Sequence, residues 1–224
     1  MRAKKEFQVA ENNQVLYKSL PENREDDLFV AFHLGGHKFK KGVKRWLVTK
    51  IVRIFSRPKV KLEDGRTVKI THTEIVFPLN TFGLRNMGRD YSFSSDGFDG
   101  GVRFKYIDYR KHPERWVFIK VPQLTTHAVD ELLDSCSKVV GRKYDYLGVI
   151  TYFGVRFFKK ENPKRWWCSE VDASRLWGSP DKISPARMFK MLYNFQKKMI
   201  LKHSGKSVKC ANLRQFFILF KQER

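Results

Sequence analysis

The sequence predicts an α+β protein, and three observations lead there. Short apolar segments of strand-like composition cluster between residues 26 and 121, separated by glycine-rich turns. Segments with helical spacing and N-cap signals dominate after Thr126. The 224 residues, 42% hydrophobic and 14% aromatic, suffice for one core of moderate size with an arm at either end.

Residues 1–26 are polar and weakly periodic, and read as an N-terminal arm. Asp26 to Leu34 (DDLFVAFHL) is a short buried strand stopped by Gly35-Gly36. From Val43 to Phe55 the apolar positions follow helical spacing, with Lys44, Arg45, Lys50 and Arg53 on the other side and Pro58 as the stop. Strands are expected at Thr67–Phe77, Tyr91–Ser94, Val102–Tyr106 and Trp116–Val121, with the turn DGFDGG at Asp96–Gly101. A helix starts near Thr126, capped by Thr125 or Thr126, carries Cys136 on its apolar stripe and closes at Gly141. Cys168 to Trp177 is a short helix ended by Gly178. Ser184-Pro185 supplies an N-cap and a first-turn proline for a helix to about Phe195. A last helix covers Ala211 to Gln222, its apolar side formed by Leu213, Phe216, Phe217 and Phe220. The division expected is an arm over 1–26, a domain over 27–195 and a basic extension over 196–224.

The net charge is +22, from 45 Lys and Arg against 23 Asp and Glu. A charge this far from zero points to a polyanionic neighbour: cell-wall polymer, anionic lipid or DNA. It is concentrated. Lys38 to Lys69 holds twelve basic residues against Glu63 and Asp64, and Arg187 to Arg224 holds ten against Glu223. No apolar run approaches the roughly 18–20 residues of a transmembrane segment. The N-terminus lacks the apolar core of a secretory signal, so the chain is expected in the cytoplasm as synthesised, with a virion as the alternative setting.

Cys136, Cys168 and Cys210 form no paired framework and no CxxC, and the Cys and His spacings do not suit zinc. The sharper reading is nucleophilic. Cys168, in WWCSE, lies where an apolar stretch becomes a helix, and His72, in KITHTEIVF, lies in a strand. A thiolate is the attacking form of cysteine, and a helix N-terminus and a nearby imidazole both favour it. His72 and Glu74 stand two apart and so share one strand face, as a base and its orienting group would.

Four pieces then occur in order: a basic helix leading to THTEIVF, the segment SFSSDGFDGGVRF, GRKYDYLG before an aromatic stretch, and WWCSEVDASRLW followed by ISPARMF. Together they resemble the circularly permuted branch of the NlpC-type papain-like cysteine hydrolases, the YiiX-like group, over about Phe29 to Leu192. The resemblance implies a permuted papain-like α+β fold, with the cysteine helix packed on an antiparallel sheet that carries the histidine. It implies Cys168 as nucleophile and His72 as general base, with no metal or organic cofactor. The third polar residue usually follows on the next strand, which here offers Ser92, Ser94 and Ser95. Ser92 and Glu74 are therefore the candidates for it. Tyr144, in the YD motif, is expected to face the site. The activity implied is hydrolysis of an amide in cell-wall peptide, or of an acyl-lipid bond. Permuted domains of this kind also occur in tailed phages. The alternative is thus a virion structural or ejected protein whose basic surfaces contact DNA or other virion proteins.

Overall fold

The computed structural model describes residues 15–22, 26–35, 59–62, 65–79, 81, 90–121, 124–146, 148–149, 164–178, 183–202, 216, 218 and 220. The helix expected over Val43–Phe55 lies outside these residues. So do Cys210, most of the aromatic stretch after Tyr146, and much of both basic concentrations.

Seven strands form one sheet: β1 (Leu16–Tyr17), β2 (Phe29–Gly35), β3 (Lys59–Lys61), β4 (Thr67–Val76), β5 (Asp90–Asp96), β6 (Gly101–Ile107) and β7 (Trp116–Lys120). The order is β1-β7-β2-β4-β5-β6, with β3 also on β4. Every pairing in this sheet is antiparallel. Among the described residues three full helices follow: α1 (Thr126–Ser137), α2 (Cys168–Trp177) and α3 (Pro185–Lys202), with a two-stranded parallel ribbon of β8 (Lys143–Tyr144) and β9 (Arg165–Trp166) between the first two. The molecule is thus α+β, with an antiparallel sheet.

Alternation along the strands divides the sheet's two faces. Val30, Phe32, Leu34, Ile75, Phe77 and Phe93 join the large core with the helices. Phe32 meets Phe189 of α3 edge to face, centroids 5.1 Å apart. Phe29, Ala31, Val76 and Phe118 point the other way, into a smaller cluster with Tyr17 and Tyr109.

Two expected boundaries shift. Leu16 and Tyr17, placed in the arm, pair with Ile119 and Phe118 of β7 and are 8% exposed each, because their apolar side chains extend both clusters. The boundary at 195/196 falls inside α3, whose apolar stripe continues to Met199. Phe216 and Phe220, placed in the extension, are 0% and 1% exposed, and Phe220 stacks on Trp177 at 4.6 Å. Apolar area decides both cases: aromatic groups of this size lose too much when left in water.

Two features of β4 prepare the site. The register on β2 runs His33↔His72 and then Leu34↔Ile70, so Thr71 is an extra, bulged residue. The bulge lets Ile70 enter the core at 1% exposure while His72 stays on the opposite face with Glu74. Gly35 accommodates it, since a Cβ there would lie 2.6 Å from Thr71 Cγ2. The second feature is an opening. On its other edge β4 pairs with β3 over Thr67–Lys69 and with β5 only at Ile75 and Val76. Among the described residues no strand pairs with residues 70–74 on that edge.

Candidate active site

α2 fills that opening. Trp167 precedes it in extended conformation, and its backbone N–H donates to Glu170 Oε2 at 3.3 Å. Trp167 Nε1–H and the Ser169 hydroxyl both donate to Ile183 O. These bonds fix the first turn, and Gly178, at φ 62°, ends the helix in the left-handed conformation that glycine favours. One turn in, Asp172 is fully buried, and its Oδ2 accepts from the hydroxyls of Thr73 (2.6 Å) and Ser94 (3.4 Å). Ser94 Oγ also donates to Thr73 O at 2.7 Å. Side chains thus replace the missing ladder between β4 and β5. Burial, then the charges of Cys168 and Glu74, push the Asp172 carboxyl well above the carboxylate range, against the Thr73 hydrogen bond and His72.

The consequence is that Cys168, at the start of α2, comes to rest beside His72. The Glu74 carboxylate only accepts, so His72 Nε2 carries the proton that bridges to Glu74 Oε1 at 2.8 Å. Nδ1 is left for the thiol. Burial lowers the His72 pKa. The charge of Cys168 and its hydrogen-bonding contact, followed by the hydrogen bond and charge of Glu74, raise it, and the net position is well above the usual imidazole value.

Glu74 is held in turn by Arg103 on β6. Nη1 donates to Oε2 and Nη2 to Oε1, both at 2.8 Å, a two-pronged match of guanidinium and carboxylate. Burial raises the Glu74 pKa, but the Arg103 hydrogen bonds and charge, and then His72, bring it down to about 2. Arg103 Nε donates to Asp99 Oδ2 at 3.0 Å, and Lys105 Nζ donates to both Asp99 oxygens. The order from thiol to surface is Cys168, His72, Glu74, Arg103, Asp99, Lys105.

The expected residues separate clearly. Cys168, His72 and Glu74 come together. Tyr144 lines the same cleft, and its phenol is raised well above its usual pKa by burial and then by the charge of Cys168. Ser92 does not reach the imidazole. It pairs with Val76 in register and bonds to the Tyr109 hydroxyl at 2.9 Å, because its face of β5 looks into the smaller cluster. Ser95 donates to Trp166 O. The place beside the imidazole belongs to Glu74, two residues along the same strand. Arg103 had no signal in the sequence beyond its alternation with Val102 and Phe104.

The cleft in front of His72 encloses about 430 Å³. Tyr106 and Trp116 line it, together with Tyr144, Tyr146 and Phe98. Tyr146 donates to Gly97 O at 2.6 Å and so ties the β5–β6 turn to the segment after β8. His72 is 20% exposed through its side chain, whereas Cys168 is 3% exposed as a residue. The imidazole therefore faces incoming molecules more openly than the sulfur. Among the described residues no group of three or more His, Cys, Asp or Glu could hold a metal ion, and no helix is long and apolar enough to cross a membrane. Comparison with protein-family models, with curated proteins and with solved structures finds no match.

Proposed function

We propose that this chain is a cysteine hydrolase or acyl-transfer enzyme of permuted papain-like type, acting on an amide or ester carbonyl. The observation that carries the reading is the Cys168–His72–Glu74 set, with the sulfur at a helix N-terminus. Cys168 attacks as thiolate while His72 holds the proton. The carbonyl carbon gains the C–S bond, and its oxygen becomes an oxyanion. The backbone N–H of Cys168, at the first position of α2, stabilises that oxygen, with the Tyr144 hydroxyl on the cleft side. The C–N or C–O bond then breaks, and His72 gives its proton to the leaving group. Water, deprotonated by His72, releases the acid and restores the thiol. Glu74 fixes the tautomer throughout, and Arg103 keeps Glu74 ionised.

Cell-wall peptide and acyl lipid are the two substrate classes we carry forward. The alternative, a virion structural or ejected protein, needs no group to orient the imidazole. Glu74 supplies such a group from β4 and moves the weight to catalysis.

The test is mass spectrometry of the intact protein after mixing with a p-nitrophenyl acyl ester, beside the Cys168→Ala and His72→Ala variants. Acyl transfer to Cys168 and release of nitrophenol are expected in the parent chain. Cys168→Ala should form no adduct. His72→Ala should slow acylation by about 10²–10⁴-fold, the usual range for a positioned acid–base group. Equal adduct formation in parent and His72→Ala proteins would remove the imidazole from the mechanism.

A further inference from the structure

We infer that the outer face of α3 docks on an anionic lipid surface, with the catalytic cleft turned away from the bilayer. This inference stands apart from the hydrolase reading and uses none of its residues. α3 packs its inner side, including Met188, Phe189, Leu192 and Met199, onto the sheet and α2. Its exposed positions, Arg187, Lys190, Asn194, Lys197, Lys198, Leu201 and Lys202, recur every three or four residues and form a single stripe. The helix has 18 residues, a length of about 27 Å, and none of them is acidic.

The stripe ends in exposed apolar groups. Leu201 is 73% exposed, and Ile218, in the neighbouring C-terminal segment, is 48% exposed. Leu201 borders a groove of about 300 Å³, lined also by Met191, Phe195 and Phe220 and edged by Lys197 and Lys198. Phe216 and Phe220, on the apolar side of the C-terminal segment, are buried in the core and add nothing to this surface. A row of cations alone suits any polyanion. Cations beside an exposed leucine and an apolar groove suit headgroups above acyl chains, because a phosphodiester backbone gives the apolar groups nothing to enter.

The orientation follows from the sheet. Phe32 points to Phe189 of α3, whereas its neighbour His33 points into the cleft. α3 and the cleft thus lie on opposite faces. A molecule seated by α3 presents the cleft to the aqueous side, so the lipid it sits on is not what enters the cleft.

The test is co-sedimentation with phosphatidylcholine vesicles, with and without phosphatidylglycerol, over a salt series, with duplex DNA as the competing polyanion. Binding is expected only with phosphatidylglycerol, and it should weaken with salt. Lys190→Gln with Lys197→Gln should lower affinity about 25-fold, from about fivefold for each charge. Leu201→Ser should lower it severalfold at every salt concentration. All these positions are exposed, so the fold is retained. Cys168→Ala should bind like the parent chain, which keeps the result independent of catalysis. Brominated lipid should quench the fluorescence added by Leu201→Trp and leave that added by Phe98→Trp, at the cleft mouth, unquenched. Absence of vesicle binding at low salt overturns the proposal. So does DNA binding that matches vesicle binding and ignores Leu201→Ser. Quenching at Phe98→Trp overturns the orientation.

Discussion

At the scale of single residues, Glu74 is the group on which most depends. It is 2% exposed through its side chain and bonded to both His72 and Arg103. Its pKa of about 2 in the folded chain lies below the usual 4.5. A lowered carboxylate pKa contributes stability that is fully present above the unfolded value and is lost as pH falls through the folded one. The contribution is about 3 kcal/mol, and acid titration of the urea midpoint should show it disappearing between pH 4.5 and about 2. Arg103→Met leaves this carboxylate buried beside no guanidinium and should cost about 3–5 kcal/mol, read in the same denaturation. The sign at His72 is the reverse. Its raised pKa keeps the imidazolium at neutral pH and loses it as pH rises through the folded value. Glu74→Gln removes two of the raising influences, so the alkaline limb of the pH–rate profile for anilide cleavage, where the imidazolium protonates the leaving amine, should move to lower pH. An unmoved limb would show that Glu74 does not act on the imidazole. The His72–Glu74 pair was legible in the sequence because two positions on a strand share a face. Arg103 was not, because its bond to Glu74 spans 29 residues and a sequence does not state which strand lies over which.

At the scale of elements, the opening along β4 and the helix that fills it decide where the thiol goes. Thr73 and Ser94 both serve the single oxygen Asp172 Oδ2, while Asp172 Oδ1 is buried with no hydrogen-bond partner. Thr73→Val should therefore destabilise by about 1–3 kcal/mol. It should also slow alkylation of Cys168, because α2 loses the tie to β4 one turn beyond the sulfur. A stability loss with an unchanged alkylation rate would separate the Asp172 contacts from the placement of the sulfur. Cys136 provides the internal reference. It is fully buried on α1, and burial, with the charge of Asp172, pushes its thiol pKa up. Iodoacetamide near neutral pH should label Cys168 and leave Cys136 untouched in the folded protein. The bounds of α2 were readable from the sequence, since Gly178 and the apolar spacing mark them. The bulge at Thr71 was not. Nothing in THTEIV distinguishes an even strand from one that slips by a residue, and the slip depends on Gly35, which lies on another strand.

At the scale of the molecule, the sheet is a partition between two kinds of surface. One face carries the helices, the large core and the basic stripe of α3. The other carries the cleft. The sequence foretold an α+β chain with strands early and helices late, because strand alternation and helix caps are local signals. It misjudged the ends, because whether Leu16, Tyr17, Phe216 and Phe220 are covered depends on neighbours far along the chain. Cys168→Ala should leave the thermal midpoint nearly unchanged, since the residue sits at the edge of the partition and makes none of the bonds that hold α2 in place.

That architecture also imposes an order in time. Thr73 and Asp172 stand 99 residues apart. A ribosome therefore delivers imidazole, carboxylate and guanidinium long before it delivers the sulfur. Domains fold as units, so the edge of β4 cannot be filled until α2 has emerged. Between residues 103 and 168 the growing chain contains the base and its supports with no nucleophile to serve.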